Sequence, residues 1–238
     1  MSPTDLAIAL VVTFFAAAIQ GVVGLGFAMV SVPILALIDP SLAPVPQLLT
    51  TIPLTVSMAW RERGHLQLSG IGWVLAGRVP GAVLGIALLA AATQRTLDLA
   101  IAAIVLLAVA IIASGVHVRR SPGVEFGAGI LSGVGGFVAA IGGPPLALLY
   151  SRDAGPTIRA NLAAIFTLGL LITLTARAAS GNITAGDVRT AFVLFPALLA
   201  GYLLSLRVKD RVSQRLVRWS ILVLSTLGAS GLVIRALT

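Results

Sequence analysis

Apolar residues run through the chain in eight stretches, at 6–38, 44–60, 71–92, 97–116, 126–150, 161–179, 188–206 and 216–237, separated by short polar or basic loops. At about 1.5 Å per residue, about 20 residues cross the hydrocarbon core of a bilayer. Six of the stretches fit a single crossing. The first stretch of each half is longer and is interrupted by glycines: Gly21, Gly24 and Gly26 in one, Gly133, Gly135 and Gly136 in the other. Each reads as a helix, a break and a shorter returning helix, near 27–38 and 137–150.

These interruptions belong to a repeat. Gln20–Leu37 returns as Ser132–Leu149, with Gly21 on Gly133, Gly24 on Gly136 and Pro33 on Pro145, an offset of 112. Further along, Pro80 falls on Pro196, Gly85 on Gly201 and Ser114-Gly115 on Ser230-Gly231, an offset of 116. Two apolar halves with Gly/Pro interruptions at matching places point to a secondary transporter whose site lies where the broken helices meet. The expected halves are 1–117 and 126–238, joined by a short linker at 118–125.

Loop charges choose the topology. If each long stretch crosses once, Arg and Lys in the loops divide evenly. If each folds back, Arg61, Arg63, Arg119, Arg120, Arg152, Arg159, Arg207, Lys209, Arg211 and Arg215 share one face, against Arg95, Arg177, Arg189 and Arg235 on the other. The second split satisfies the positive-inside rule. It predicts five elements per half, inverted halves, and both termini outside the cytoplasm. The N-terminus carries Asp5 and no basic region, so it reads as a retained first span rather than a cleaved signal.

Composition narrows the class. The chain of 238 residues is 58% hydrophobic and 10% charged, with mean hydropathy +1.06. A soluble domain is about 25% charged. The predicted fold is therefore an all-α polytopic integral membrane protein of two inverted helical repeats with Gly/Pro-broken helices, having about eight spans and up to ten helical elements. The net charge of +8 belongs to topology-setting loops and not to a nucleic-acid surface, since no soluble domain presents a basic face. Cysteine is absent, and His65 and His117 flank charged loops, so no thiolate metal site is available and no cofactor is expected. No G-x-S-x-G, H-E-x-x-H or carboxylate cluster occurs in the spans, which argues against an enzyme. Asp39, Asp153 and Asp187 lie in loops or at helix ends, so proton coupling has no evident buried carboxylate and stays open.

The candidate ligands are those of an anion site. A helix restarting after a glycine break aims free N–H groups and partial positive charge at the break, which nominates Gly24, Gly26 and Gly136. The run IGGPPL makes Gly142 and Gly143 the stronger sources of exposed amides. Arg78 lies about eight residues, or about 12 Å, inside its span. An intramembrane charge costs at least about 2.5–3.5 kcal/mol and marks a functional site by default. Its competing reading is an arginine that snorkels to the interface. Gln20, Thr50, Thr51, Asn161 and Thr167 are neutral polar groups at helical depth that line a path or tie helices together. Arg177 reads as an interfacial anchor and Arg159 as a loop charge.

The repeated G-x-x-G-x-G-x₆-P motif, the P-x₄-G motif, the basic loop WRERGHLQ and the duplicated layout resemble the TauE/SafE family of sulfite exporters over nearly the entire chain. The resemblance implies a transporter of sulfur-containing anions such as sulfite or organosulfonates in the cytoplasmic (inner) membrane of a prokaryote, with the lipid bilayer and a small anion as its partners. The family's motif maps onto Gly21, Gly24, Gly26 and Pro33, then onto Gly133, Gly136 and Pro145. In the second copy Val138 stands for Gly26 and Pro144 is additional, so the halves should contribute unequally. The expected mechanism is alternating access around a midplane site. An uncoupled anion channel, a carrier of small carboxylates and a non-transporting scaffold are the alternatives, and oligomeric state is not legible.

Overall fold

The computed structural model describes residues 2–116 and 118–238; His117, read above as flanking a charged loop, and Met1 lie outside them. Among the described residues the chain forms ten α-helices and no strand: α1 (Pro3–Val23), α2 (Phe27–Ile38), α3 (Val45–Glu62), α4 (Ile71–Ala90), α5 (Gln94–Ser114), α6 (Pro122–Ala139), α7 (Gly143–Leu149), α8 (Gly155–Ala179), α9 (Ala185–Val208) and α10 (Gln214–Leu237). The starts follow from local chemistry. Ser2 and Asp5 form a capping box ahead of α1, with Pro3 at the first helical position. Thr184 and Asp187 do the same for α9. Ser121 caps α6 and Pro122 opens it, so this helix begins inside the connection expected at 118–125.

Eight helices are long and apolar enough to cross a membrane. The other two are not. At 12 and 7 residues, α2 and α7 extend only about 18 and 10 Å, well short of the ~30 Å core. They are short returning helices, and their irregular connections are sheltered by protein. Large apolar side chains such as Phe192, Leu227, Val83 and Leu171 point outward, as a lipid-facing surface requires.

Contacts fix the direction of each helix. Gly21 of α1 faces Ser205 and Tyr202 of α9, while Gly201 faces Phe14 and Ala17, so α1 and α9 run parallel. Arg61 near the end of α3 lies over Tyr202 and donates to the Gly21 carbonyl, which places α3 in the same direction. The chain must therefore return through α2 between α1 and α3. In the other half Gly77, Gly81 and Gly85 of α4 meet Phe126, Ile130 and Phe137 of α6 in order, so α4 and α6 are also parallel. Arg235 pairs with Asp98 while Arg218 reaches the Ile112 and Ala113 carbonyls, making α5 and α10 antiparallel. Each half thus alternates through five elements. An odd number turns the second half upside down, and both termini lie on one face. The basic group from Arg61 to Arg215 lies on the opposite face.

The halves interlock. Helices α1, α3, α4, α6, α8 and α9 pack together, as do α2, α5, α7 and α10. Close approach depends on missing side chains. A Cβ on Gly81 would collide with the Ile130 carbonyl, and one on Gly129 with that of Val74, so small residues set the α4–α6 distance.

The second break departs from its expected place. It falls at Ala140–Gly142, after α6 has continued through Gly133, Gly135 and Gly136. Helix ends Val23 and Ala139, and helix starts Phe27 and Gly143, all differ by 116, so one offset covers the repeat and the 112 register is corrected. The reason is physical. Gly133 lies against Arg78 and Gly81 of α4, so it serves helix packing, while the left-handed residue that ends α6 is Ala140, with φ 59°. Sequence matching followed the glycines and not the turn.

Candidate substrate-binding site

Arg78 is the centre of the candidate site. It projects from the middle of α4 and is 4% exposed, which rules out the interfacial snorkel. Its Nη1 donates to Ser132 Oγ at 2.8 Å and its Nη2 to Thr173 Oγ1 at 3.5 Å. Nε is buried without a partner. Among the described residues no carboxylate lies within ion-pair distance of it. Hydroxyls solvate such a charge but do not neutralise it, so the guanidinium charge is left uncompensated.

Three glycines make the space. A Cβ on Gly169 of α8 would run into Nε and Cζ of the guanidinium; one on Gly136 would lie 3.0 Å from Nη2, and one on Gly142 3.2 Å from Nη1. Gly136 is therefore a cradle residue and not a break residue. The second repeat supplies this cradle, but at the position equivalent to Arg78 it carries the apolar, fully buried Leu194. The charge is present once, which gives the expected inequality of the halves a concrete form.

The guanidinium faces a cavity of ≈ 60 Å³ lined by Gln20, Gly26, Thr51, Gly136, Gly142 and Gly143, with Leu25, Thr55, Phe166 and Leu170 among the further walls. Both breaks contribute: Leu25 and Gly26 from the first, Ile141 and Gly142 from the second. Gln20 has a second task, since its Oε1 accepts the Phe27 N–H at 3.1 Å and so caps α2. The first turn of α7 reads Gly143-Pro144-Pro145, and the two prolines remove their own donors. Gly143 is then the only residue of those three with a backbone N–H.

Other nominated residues lie elsewhere. Gly24 packs against Arg159 and not on the cavity. Thr50 returns its hydroxyl to the Pro46 carbonyl at 2.6 Å and lines an outer groove with Phe192. Asn161 is fully buried and its Oδ1 accepts the Gln67 N–H at 2.9 Å, holding the α3–α4 loop. Thr167 bonds its own helix at Ala163. Arg177 is no interfacial anchor: it is 2% exposed, donates from Nε and Nη2 to the Phe137 carbonyl and lies over the Phe137 ring. It occupies the place of Arg61, which grips Gly21 in the first repeat. Each arginine thus secures the last turn of a helix before its break.

Sequence reading missed Ser132, Thr173 and Gly169, and also the buried carboxylates Glu62, Asp98 and Glu125, which pair with Arg61 and Arg159, Arg235, and Arg120. Polarity at helical spacing was the available signal for Ser132 and Thr173. No local signal marks Gly169, because its role depends on a helix some ninety residues away.

Ten packed helices, eight of them long and apolar enough to cross a bilayer, around an unneutralised cation in a small buried cavity define a multi-pass membrane protein. A family model for the sulfite exporters TauE/SafE matches residues 9–232. The chain belongs to this family. No curated protein and no solved structure matches it.

Proposed function

We propose that the chain carries a small sulfur oxyanion, sulfite or a compact organosulfonate, out of a prokaryotic cell across its cytoplasmic membrane. The observation that carries this reading is Arg78: a buried, uncompensated guanidinium facing a cavity to which both broken helices contribute. A planar guanidinium matches an oxyanion in two contacts. The volume of ≈ 60 Å³ exceeds the ~10–15 Å³ needed by one water and favours a ligand of a few heavy atoms. Positive charge on the face of Arg61 and Arg211 supports placing that face in the cytoplasm and both termini outside. The two halves, divided in the α5–α6 connection, rock about the Arg78 cavity to expose it alternately.

Counterflow tests this. Proteoliposomes preloaded with unlabelled sulfite should transiently accumulate external labelled sulfite above equilibrium. Equilibration without that overshoot would mean an uncoupled channel, and no flux for sulfite, sulfate, thiosulfate, taurine or sulfoacetate would remove the transport reading.

A further inference from the structure

A second cavity, of ≈ 310 Å³, lies where the end of α1, the end of α5, α7 and the starts of α8 and α10 converge. All of these ends are on the arginine-rich face. Its walls are mainly apolar, with Val23, Ile112 and Ile158 among them, and it carries two cations, Arg159 and Arg218. Arg218 is engaged by the Ile112 and Ala113 carbonyls at the end of α5. Arg159 donates through Nε to Glu62 at 2.9 Å.

One side chain lines both this cavity and the Arg78 cavity: Leu25. It is 7% exposed, and a Cβ on Gly143 would lie 3.6 Å from its own Cβ, so it closes the space between the first break and the start of α7. Its backbone is flanked by two residues with positive φ, Gly24 at 100° and Gly26 at 115°, a conformation that glycine alone adopts at low cost. Gly24 rests on Arg159. Glu62 ties Arg159 to Arg61, which in turn holds the Gly21 carbonyl at 3.1 Å. The hinge of Leu25 is therefore braced by one ion network.

We propose that the larger cavity is the anion's vestibule on the arginine-rich face and that Leu25 is the gate between it and Arg78. This rests on the reading of the Arg78 cavity as the anion site. The vestibule takes a small anion at Arg159 and Arg218. An anion paired with Arg159 competes with Glu62 for the guanidinium, loosens the brace on Gly24 and lets Leu25 swing on its glycine hinge.

The chain has no cysteine, so thiol labelling reports single introduced sites. Ser151→Cys places a reporter in the vestibule, and Ala28→Cys one in the inner cavity. A membrane-impermeant anionic methanethiosulfonate is applied to the arginine-rich face. Ser151→Cys should react quickly and faster with the anionic than with a neutral reagent, a preference that Arg159→Gln with Arg218→Gln removes. Ala28→Cys should react slowly, and Leu25→Ala should raise its rate by an order of magnitude from that face alone. Leu25→Val, a milder change, should give an intermediate rate. Equal Ala28→Cys rates with and without the Leu25 substitutions would overturn the gate; absence of charge preference at Ser151→Cys would overturn the vestibule. Neither readout requires transport or substrate binding. Loss of anion binding at Arg78 would remove the functional reading while leaving this labelling pattern in place.

Discussion

At the scale of residues, the site is made as much by what is missing as by what is present. Arg78 needs about the volume of its own guanidinium carved from two helices and the second break, and Gly136, Gly169 and Gly142 provide it. The sharpest test is Gly169→Ala. Overpacking a filled interior costs about 1–3 kcal/mol, but the atom in the way is the far end of a long side chain, so the guanidinium moves and the backbone does not. Anion affinity should then fall by about tenfold, or about 1.4 kcal/mol, with little loss of thermal stability. Gly72→Ala, where a Cβ meets nothing within 4 Å, should leave both unchanged. Titration calorimetry and thermal unfolding in the same detergent measure the pair. A large stability loss with intact affinity would make Gly169 a packing residue.

At the scale of elements, the two breaks solve one problem with different residues. α1 ends on Gly24 with φ 100°, and α6 ends on Ala140 with φ 59°. A side chain in this region costs of order 1–2 kcal/mol. Gly24→Ala should therefore destabilise the fold by about that amount, more if Arg159, 3.1 Å from the new Cβ, cannot yield. Ala140→Gly should relieve strain and stabilise by a few tenths to about 1 kcal/mol. Unfolding in mixed SDS micelles checks both signs. A stabilising Gly24→Ala would contradict the described turn. This pair also shows how legible the elements were. Glycine and proline marked both broken stretches, but glycine serves close packing as well as left-handed turns, so Gly133 and Gly136 drew the second break one turn early. The buried Arg177 was equally opaque, since its partner is a carbonyl and carbonyls carry no sequence signal.

At the scale of the whole molecule, direction of travel was the readable property. The division of Arg61, Arg119 and Arg211 from Arg95 and Arg189 predicted inverted halves, and the parallel α1–α9 and α4–α6 pairs have that arrangement. Single cysteines in the 63–69 and 209–213 loops should label from the same face of sealed vesicles, and one at 92 from the other. Opposite labelling of the first two would remove the inverted architecture. What the sequence could not show is the meeting of the halves: Arg78 reaches Ser132 and Thr173 across more than fifty residues, and only the interlocked packing brings them together.

The central claim is that one buried guanidinium binds the transported anion, and affinity in an Arg78 series measures it most directly. Sulfite, sulfoacetate and a simple carboxylate are titrated into the parent, Arg78→Lys and Arg78→Gln in one detergent at low and high salt. Arg78→Gln should weaken sulfur-oxyanion binding by about 1.5–3 kcal/mol, the range of a charged hydrogen bond. Arg78→Lys should recover only part of that, because lysine keeps the charge and lacks the planar fork. Equal affinities across the three proteins, with the fold intact, would contradict the account.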